Sequence, residues 1–146
     1  MKNINKLIIG FMVYLLGCTS ENKNLSDVDT TQILDKTFNS VQINESLTDY
    51  FSNQPLRIVR NSFLKNDYKF IKNGMAVVYV DIDSSSTKLS DWRKPKLYAN
   101  IIDFKMVSKE KVSISLRFRA SGRLFELVLV KKNDEWIVSK FKDSDI

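Results

Sequence analysis

The sequence predicts an α+β fold, with N-terminal amphipathic helices packed on one face of a curved antiparallel sheet of five to six strands. Three observations carry this. Between residues 30 and 65 apolar side chains recur at helical spacing. From Asp67 onward the apolar period falls to about 2, the spacing of a half-buried strand. Near the C-terminus, two independently chosen turns place the same apolar residues on one sheet face, and a slip of one residue would destroy that agreement.

Ahead of the helices, Leu7 to Cys18 (LIIGFMVYLLGC) is an uncharged apolar run with Lys2 and Lys6 before it. A basic start, a short apolar run and a small residue before the cut describe a secretory signal peptide. The run is too short for a membrane-spanning helix, which needs roughly 20 apolar residues. A buried core helix, with the cysteine as a small apolar side chain, is the competing reading, as are a leader cut elsewhere and an uncleaved anchor. The position at the extreme N-terminus and the polar stretch that follows favour the leader. Its Leu15-Leu16-Gly17-Cys18 ending resembles the lipobox of bacterial lipoproteins. That resemblance implies cleavage before Cys18 and a diacylglycerol thioether on its sulfur. Residues 1–17 are then a signal peptide, 18–29 the lipidated cysteine with a polar tether, and 30–146 a single α+β domain.

Removing 17 residues leaves 129 of the 146, a suitable length for one domain with its own core. With Cys18 lipidated no thiol remains, so no disulfide can staple the body. Loss of Lys2 and Lys6 lowers the formal charge from +6 to +4, with no long basic run. This balance favours a solubilising surface and modest attraction to anionic headgroups, and gives no reason to expect nucleic acid as a partner.

Thr19 to Asp29 (TSENKNLSDVD) reads as the tether. Ser26, Asp27, Asp29 and Thr30 offer N-cap side chains, and Ile33, Leu34, Phe38 and Val41 form the first apolar stripe. Asn44 is a candidate cap for a second helix carrying Leu47, Tyr50 and Phe51. Pro55 suits the first turn of a third, lined by Leu56, Val59 and Phe63.

Asn73-Gly74 then supplies the dipeptide most suited to a two-residue type I′ hairpin, which sets Phe70 opposite Val77 and Tyr68 opposite Tyr79. Ser84 to Lys96 (SSSTKLSDWRKPK) reads as a loop, and Trp92 beside Arg93 is a candidate contact for a ligand, a partner or a membrane interface. Folding of Trp92 back onto the core is the plainer reading.

Leu97–Val107, Lys111–Ala120, Arg123–Lys131 and Glu135–Lys142 read as four consecutive strands. With Ser121-Gly122 as a two-residue loop, Phe118 meets Phe125, Leu116 meets Leu127, and Arg117 meets Glu126. With Lys132-Asn133-Asp134 as the next loop, Leu129 meets Ile137, Phe125 meets Phe141, and Glu126 meets Lys140. One face, including Ile102, Phe104, Met106, Ile114 and Ile137, is expected to be buried. The other mixes Ile101, Leu124, Val128, Val130, Trp136 and Val138 with Asp103, Arg117, Arg119, Glu126 and Lys140. An Arg117–Glu126–Lys140 row is expected there as an exposed ion-pair ladder, or alternatively as the lining of a pocket in a strongly curved sheet.

Helices followed by a long antiparallel sheet ending in VLVKKNDEWIVSKF are similar to the nuclear transport factor two-like superfamily. The likeness covers about residues 30 to 142 and rests on that final Trp-containing hairpin. It implies enzymes, ligand binders and interaction modules alike, so the fold would not choose among them. The superfamily places a strand among its helices, whereas this sequence reads there as helix throughout.

The chain has no histidine and only four glycines, which excludes His-based hydrolysis, His metal sites and Gly-rich phosphate loops. Asp27 with Asp29, and Asp81 with Asp83, are carboxylate pairs, and Asp81, Asp83 and Asp91 can be drawn around a hard cation, but no spacing resembles a calcium loop. No metal or other cofactor is expected. The expected function is therefore non-catalytic: a lipid-anchored envelope protein, held to the membrane through Cys18, that contacts an envelope protein or a second copy. Its contact surface is either a sheet face (Arg117, Arg119, Glu126, Lys140) or the Trp92–Arg93 loop. The alternative is a carrier of a small apolar ligand, or an enzyme, with a pocket between helices and sheet. Thr19-Ser20 lack the Asp that retains some lipoproteins at the inner membrane, so the lipobox resemblance implies the outer membrane, facing the periplasm.

Overall fold

In the computed structural model, residues 25–51, 53–81 and 98–146 are described, without the side chains of 48–51. The leader, Cys18, residues 19–24, and the Trp92–Arg93 loop with Asp83 and Asp91 lie outside the described residues. The fold is α+β, with two helices and a six-stranded, mostly antiparallel sheet. Helices α1 (Asp27–Phe38) and α2 (Val41–Phe51) come first. They are followed by β1 (Arg57–Val59), β2 (Ile71–Lys72), β3 (Met75–Ala76), β4 (Val78–Val80), β5 (Tyr98–Ser108), β6 (Lys111–Phe118), β7 (Arg123–Lys132) and β8 (Glu135–Asp145). The main sheet runs β4-β1-β5-β6-β7-β8, and β2-β3 form a separate two-stranded ribbon.

Helix α1 starts where its sequence dictates. Ser26 is the N-cap: its Oγ accepts from the Asp29 N–H at 3.0 Å and donates to Asp29 Oδ2 at 2.8 Å. This reciprocal pair satisfies a donor that the first helical turn would otherwise leave open. Residues 25–29, expected in the tether, therefore belong to the folded body, and Leu25 packs against the core. The helix stops at Phe38 and Asn39 caps it, so Val41 is exposed instead of completing the first stripe. Ser40, not Asn44, begins α2: its carbonyl accepts from the Asn44 N–H at 3.0 Å, and its Oγ from Ile43 N–H at 3.4 Å.

The third expected helix is a strand. β1 lies between β4 and β5 and is parallel to both, with Ile58 opposite Tyr79 on one side and Ala99 on the other. Leu56 and Ile58 are both buried, an alternating pattern, while Phe63 is exposed. The spacing of Leu56, Val59 and Phe63 fits a helix, but the β-branched pair Ile58-Val59 favours a strand, and here a long-range partner decides. Leu56 O accepts from Val78 N–H and Val80 O from Arg60 N–H, both at 3.0 Å.

The Asn73-Gly74 hairpin forms as the dipeptide predicts. Both residues have positive φ (51° and 75°), Ile71 faces Ala76, and Val77 N–H reaches Phe70 O at 3.2 Å.

In the long strands the elements match the sequence and the registers differ. Leu116 faces Phe125 and Ile114 faces Leu127, so the loop from β6 to β7 is the four-residue Arg119–Gly122. A shift of two preserves every face. The β7–β8 loop, however, is the two-residue Asn133-Asp134, both at positive φ (50° and 63°), which slips the start of β8 by one. Trp136 consequently turns inward and is fully buried, while Ile137 turns outward and is 37 % exposed. An irregularity opposite Val128/Leu129 leaves Ser139 without a partner in the register and restores the parity, so Phe141 returns to the expected inner face, opposite Leu127 instead of Phe125. A second irregularity between Ile101 and Asp103 does the same on β5. It buries Ile101 opposite Leu116, although the sequence places Ile101 outside and Ile102 inside.

The core lies between α1 and the inner sheet face. Phe70, Phe38, Phe118, Phe125 and Phe141 form a continuous chain of rings with centroids 5.6, 6.3, 5.5 and 5.5 Å apart. Such contacts add to what their apolar burial already contributes. Ile33, Leu34 and Ile43 fill the same layer and are fully buried.

Candidate functional site

The outer sheet face, opposite α1, is organised in rows fixed by the registers. One row joins Asp103, Ser115, Glu126 and Lys142, and Lys142 Nζ reaches Glu126 Oε2 at 2.8 Å. The next sets Lys105, Ser113, Val128 and Lys140 side by side. A third pairs Val130 with Ile137. Arg117 lies between Asn100 and Leu124. At the other end, Arg57 stacks over Tyr98 with its guanidinium carbon 5.9 Å from the ring centroid.

Glu126 thus pairs with Lys142, and neither Arg117 nor Lys140 shares its row. The expected Arg117–Glu126–Lys140 ladder is replaced because each hairpin register differs from the one the turns suggested. Arg119 falls in the β6–β7 loop, exposed. Arg117 Nε is shielded from solvent and has no hydrogen-bond partner among the described residues. Val128, Val130 and Ile137 make an adjoining apolar band beside the charged row, half-buried to exposed.

On the helix side, a groove of about 190 Å3 opens between the start of α1, the segment after β1, and β5. It is lined by Leu25, Thr30, Phe63, Lys65, Tyr68, Phe104 and Met106. The groove is smaller than a pocket for a drug-sized ligand, roughly 300–1,000 Å3. Tyr68 donates its hydroxyl to Asp27 Oδ1 at 3.1 Å, and burial together with that carboxylate raises its pKa above the usual phenol value. Three segments remote in sequence build this groove, so no local motif announces it. The exposed Phe63 is the one residue that could have drawn notice.

Three polar clusters tie elements together. Asp29 Oδ1 accepts from Trp136 Nε1 at 2.8 Å and Lys131 Nζ at 2.9 Å. The indole bond, with help from Lys131 and Ser26, holds the carboxyl below its usual pKa, and Lys131 is raised in turn. Arg60 clasps Asp67 (Nε to Oδ1, 2.9 Å) and Asp81 (Nη1 to Oδ2, 2.8 Å), all three exposed. Lys72 is 3 % exposed and donates to Phe38 O at 2.6 Å and to Asn44 Oδ1, closing the C-terminus of α1. Burial lowers its pKa to about 8.

Among the described residues no three His, Cys, Asp or Glu side chains gather as a metal would need, and no helix is long and apolar enough to cross a membrane. Comparison with family models, curated proteins and solved structures finds no match to this chain.

Proposed function

We propose that this chain is a lipid-anchored protein of the bacterial cell envelope whose body is a non-catalytic contact module. Cys18 carries the lipid, its membrane is the outer one, and the helices at the start of the body back a curved sheet whose outer face meets an envelope protein or a second copy. The observation that carries the contact reading is the apolar band of Val128, Val130 and Ile137 next to the Glu126–Lys142 pair. Apolar surface rimmed by charge is the usual composition of a protein contact. The clusters around Asp29, Arg60 and Lys72 have structural partners that account for them. The lipid reading is supported by LIIGFMVYLLGC alone.

A photo-crosslinking side chain at Ile137 or Val128, compared with one at Asn73 on the opposite hairpin, tests the contact face in the native host. Adducts of one discrete mass at 137 and 128, absent at 73, are expected. Equal labelling at all three positions, or none at any, would overturn it.

A further inference from the structure

We infer that the groove beside Leu25 is the face on which the anchored body rests against the phospholipid bilayer, with Phe63 reaching the boundary between headgroups and acyl chains. The inference rests on the lipid-anchor reading and adds an orientation to it. Leu25 follows Cys18 by seven positions, which span at most roughly 25 Å when fully extended. A relaxed coil of that length covers only about 15 Å. Whatever faces outward next to Leu25 is therefore held close to the headgroups.

The groove at that point has the composition an interface needs. Leu25 and Met106 line it, and Phe63 is 41 % exposed at its rim. Val28 stands 68 % exposed in the first turn of α1, immediately after. Lys65 adds a cation on a long apolar stem, able to lie along the apolar surface with its ammonium among phosphates. Side chains of this kind at the headgroup level bind an interface through buried apolar area and attraction to anionic lipid. The orientation also agrees with the sheet. Phe104 and Met106 belong to the same rows as Ile114 and Val112, the helix-side face, so a body seated on this groove turns Val128, Val130 and Ile137 away from the membrane.

The test uses the full lipidated chain in vesicles of phosphatidylethanolamine and phosphatidylglycerol. Cys18 is the only cysteine, so Phe63→Cys or Ile137→Cys provides a single thiol for an environment-sensitive dye once Cys18 carries lipid. With a nitroxide at headgroup depth, the dye at 63 is expected to be quenched several-fold more than the dye at 137. In a Met106→Cys label, adding Phe63→Ser is expected to relieve quenching at least two-fold. Equal quenching at 63 and 137 in a preparation whose intact mass shows the lipid would overturn this inference and leave the anchor standing. A mass without lipid on Cys18 would overturn the anchor reading, and this inference with it.

Discussion

The indole N–H of Trp136 donates to Asp29 Oδ1 across 2.8 Å, joining the first turn of α1 to the last hairpin over 107 positions of sequence. Trp136 is fully buried, so that carboxylate is what satisfies its one polar atom. The same Asp29 completes the Ser26 cap and holds Lys131. One side chain thus fixes where the helix begins and how it meets the sheet.

Asp29→Ala is expected to cost about 1–3 kcal/mol in urea unfolding, because it leaves a buried donor without a partner. Lys131→Met should cost clearly less, its ammonium being exposed on one side. Since the folded pKa of Asp29 lies below the unfolded value, its contribution is present above the ordinary carboxylate range and is lost as pH falls through the folded value. Stability of the parent should therefore decline below about pH 4 more steeply than that of Asp29→Ala. Parallel pH profiles of the two would refute this.

Lys72 predicts a slope of the same sign at alkaline pH. Burial sets its folded pKa at about 8 against an ordinary 10.5, so between those values the unfolded chain binds more protons and stability rises with pH. Its hydrogen-bond partners, a carbonyl and an amide oxygen, can be served by the neutral amine as well. From pH 8 to 9.5 the gain should be about 1–2 kcal/mol relative to Lys72→Met, whose curve lacks this rise. Denaturation midpoints of the two proteins at both pH values measure it.

Trp136→Ala should cost about 3–5 kcal/mol, and Ile137→Ser no more than about 0.5 kcal/mol. The reverse ranking by thermal unfolding would mean that β8 starts in the other register.

Asp134 holds a left-handed conformation (φ 63°) that Gly adopts without strain. Asp134→Gly is expected to raise stability by up to about 1 kcal/mol, read as a higher urea midpoint at unchanged slope.

How much of this was legible in the sequence depends on how local each cause was. The Asn73-Gly74 turn, the Ser26 cap region and the starts of β6 and β7 follow from a few adjacent residues, and they stand where the sequence puts them. Register did not follow so easily. Lys132-Asn133-Asp134 reads equally well as a two- or three-residue loop, and that single residue decides whether Trp136 or Ile137 is buried. The Ser139 and Ile102 irregularities have no sequence signature, yet each resets the faces after it. Residues 56–59 fit a helix and a strand alike, and what settles them is pairing with Val78–Val80 and Tyr98–Ala99, some twenty and forty positions away. The groove of Leu25, Phe63 and Met106 was invisible for the same reason.

The account stands or falls on the state of Cys18, and the intact mass of the protein extracted from its host's membranes reads that state directly. A chain beginning at residue 18 and heavier than its peptide by a thioether-linked diacylglycerol is the predicted result. A chain that retains Met1, or starts at 18 with an unadorned thiol, would contradict it.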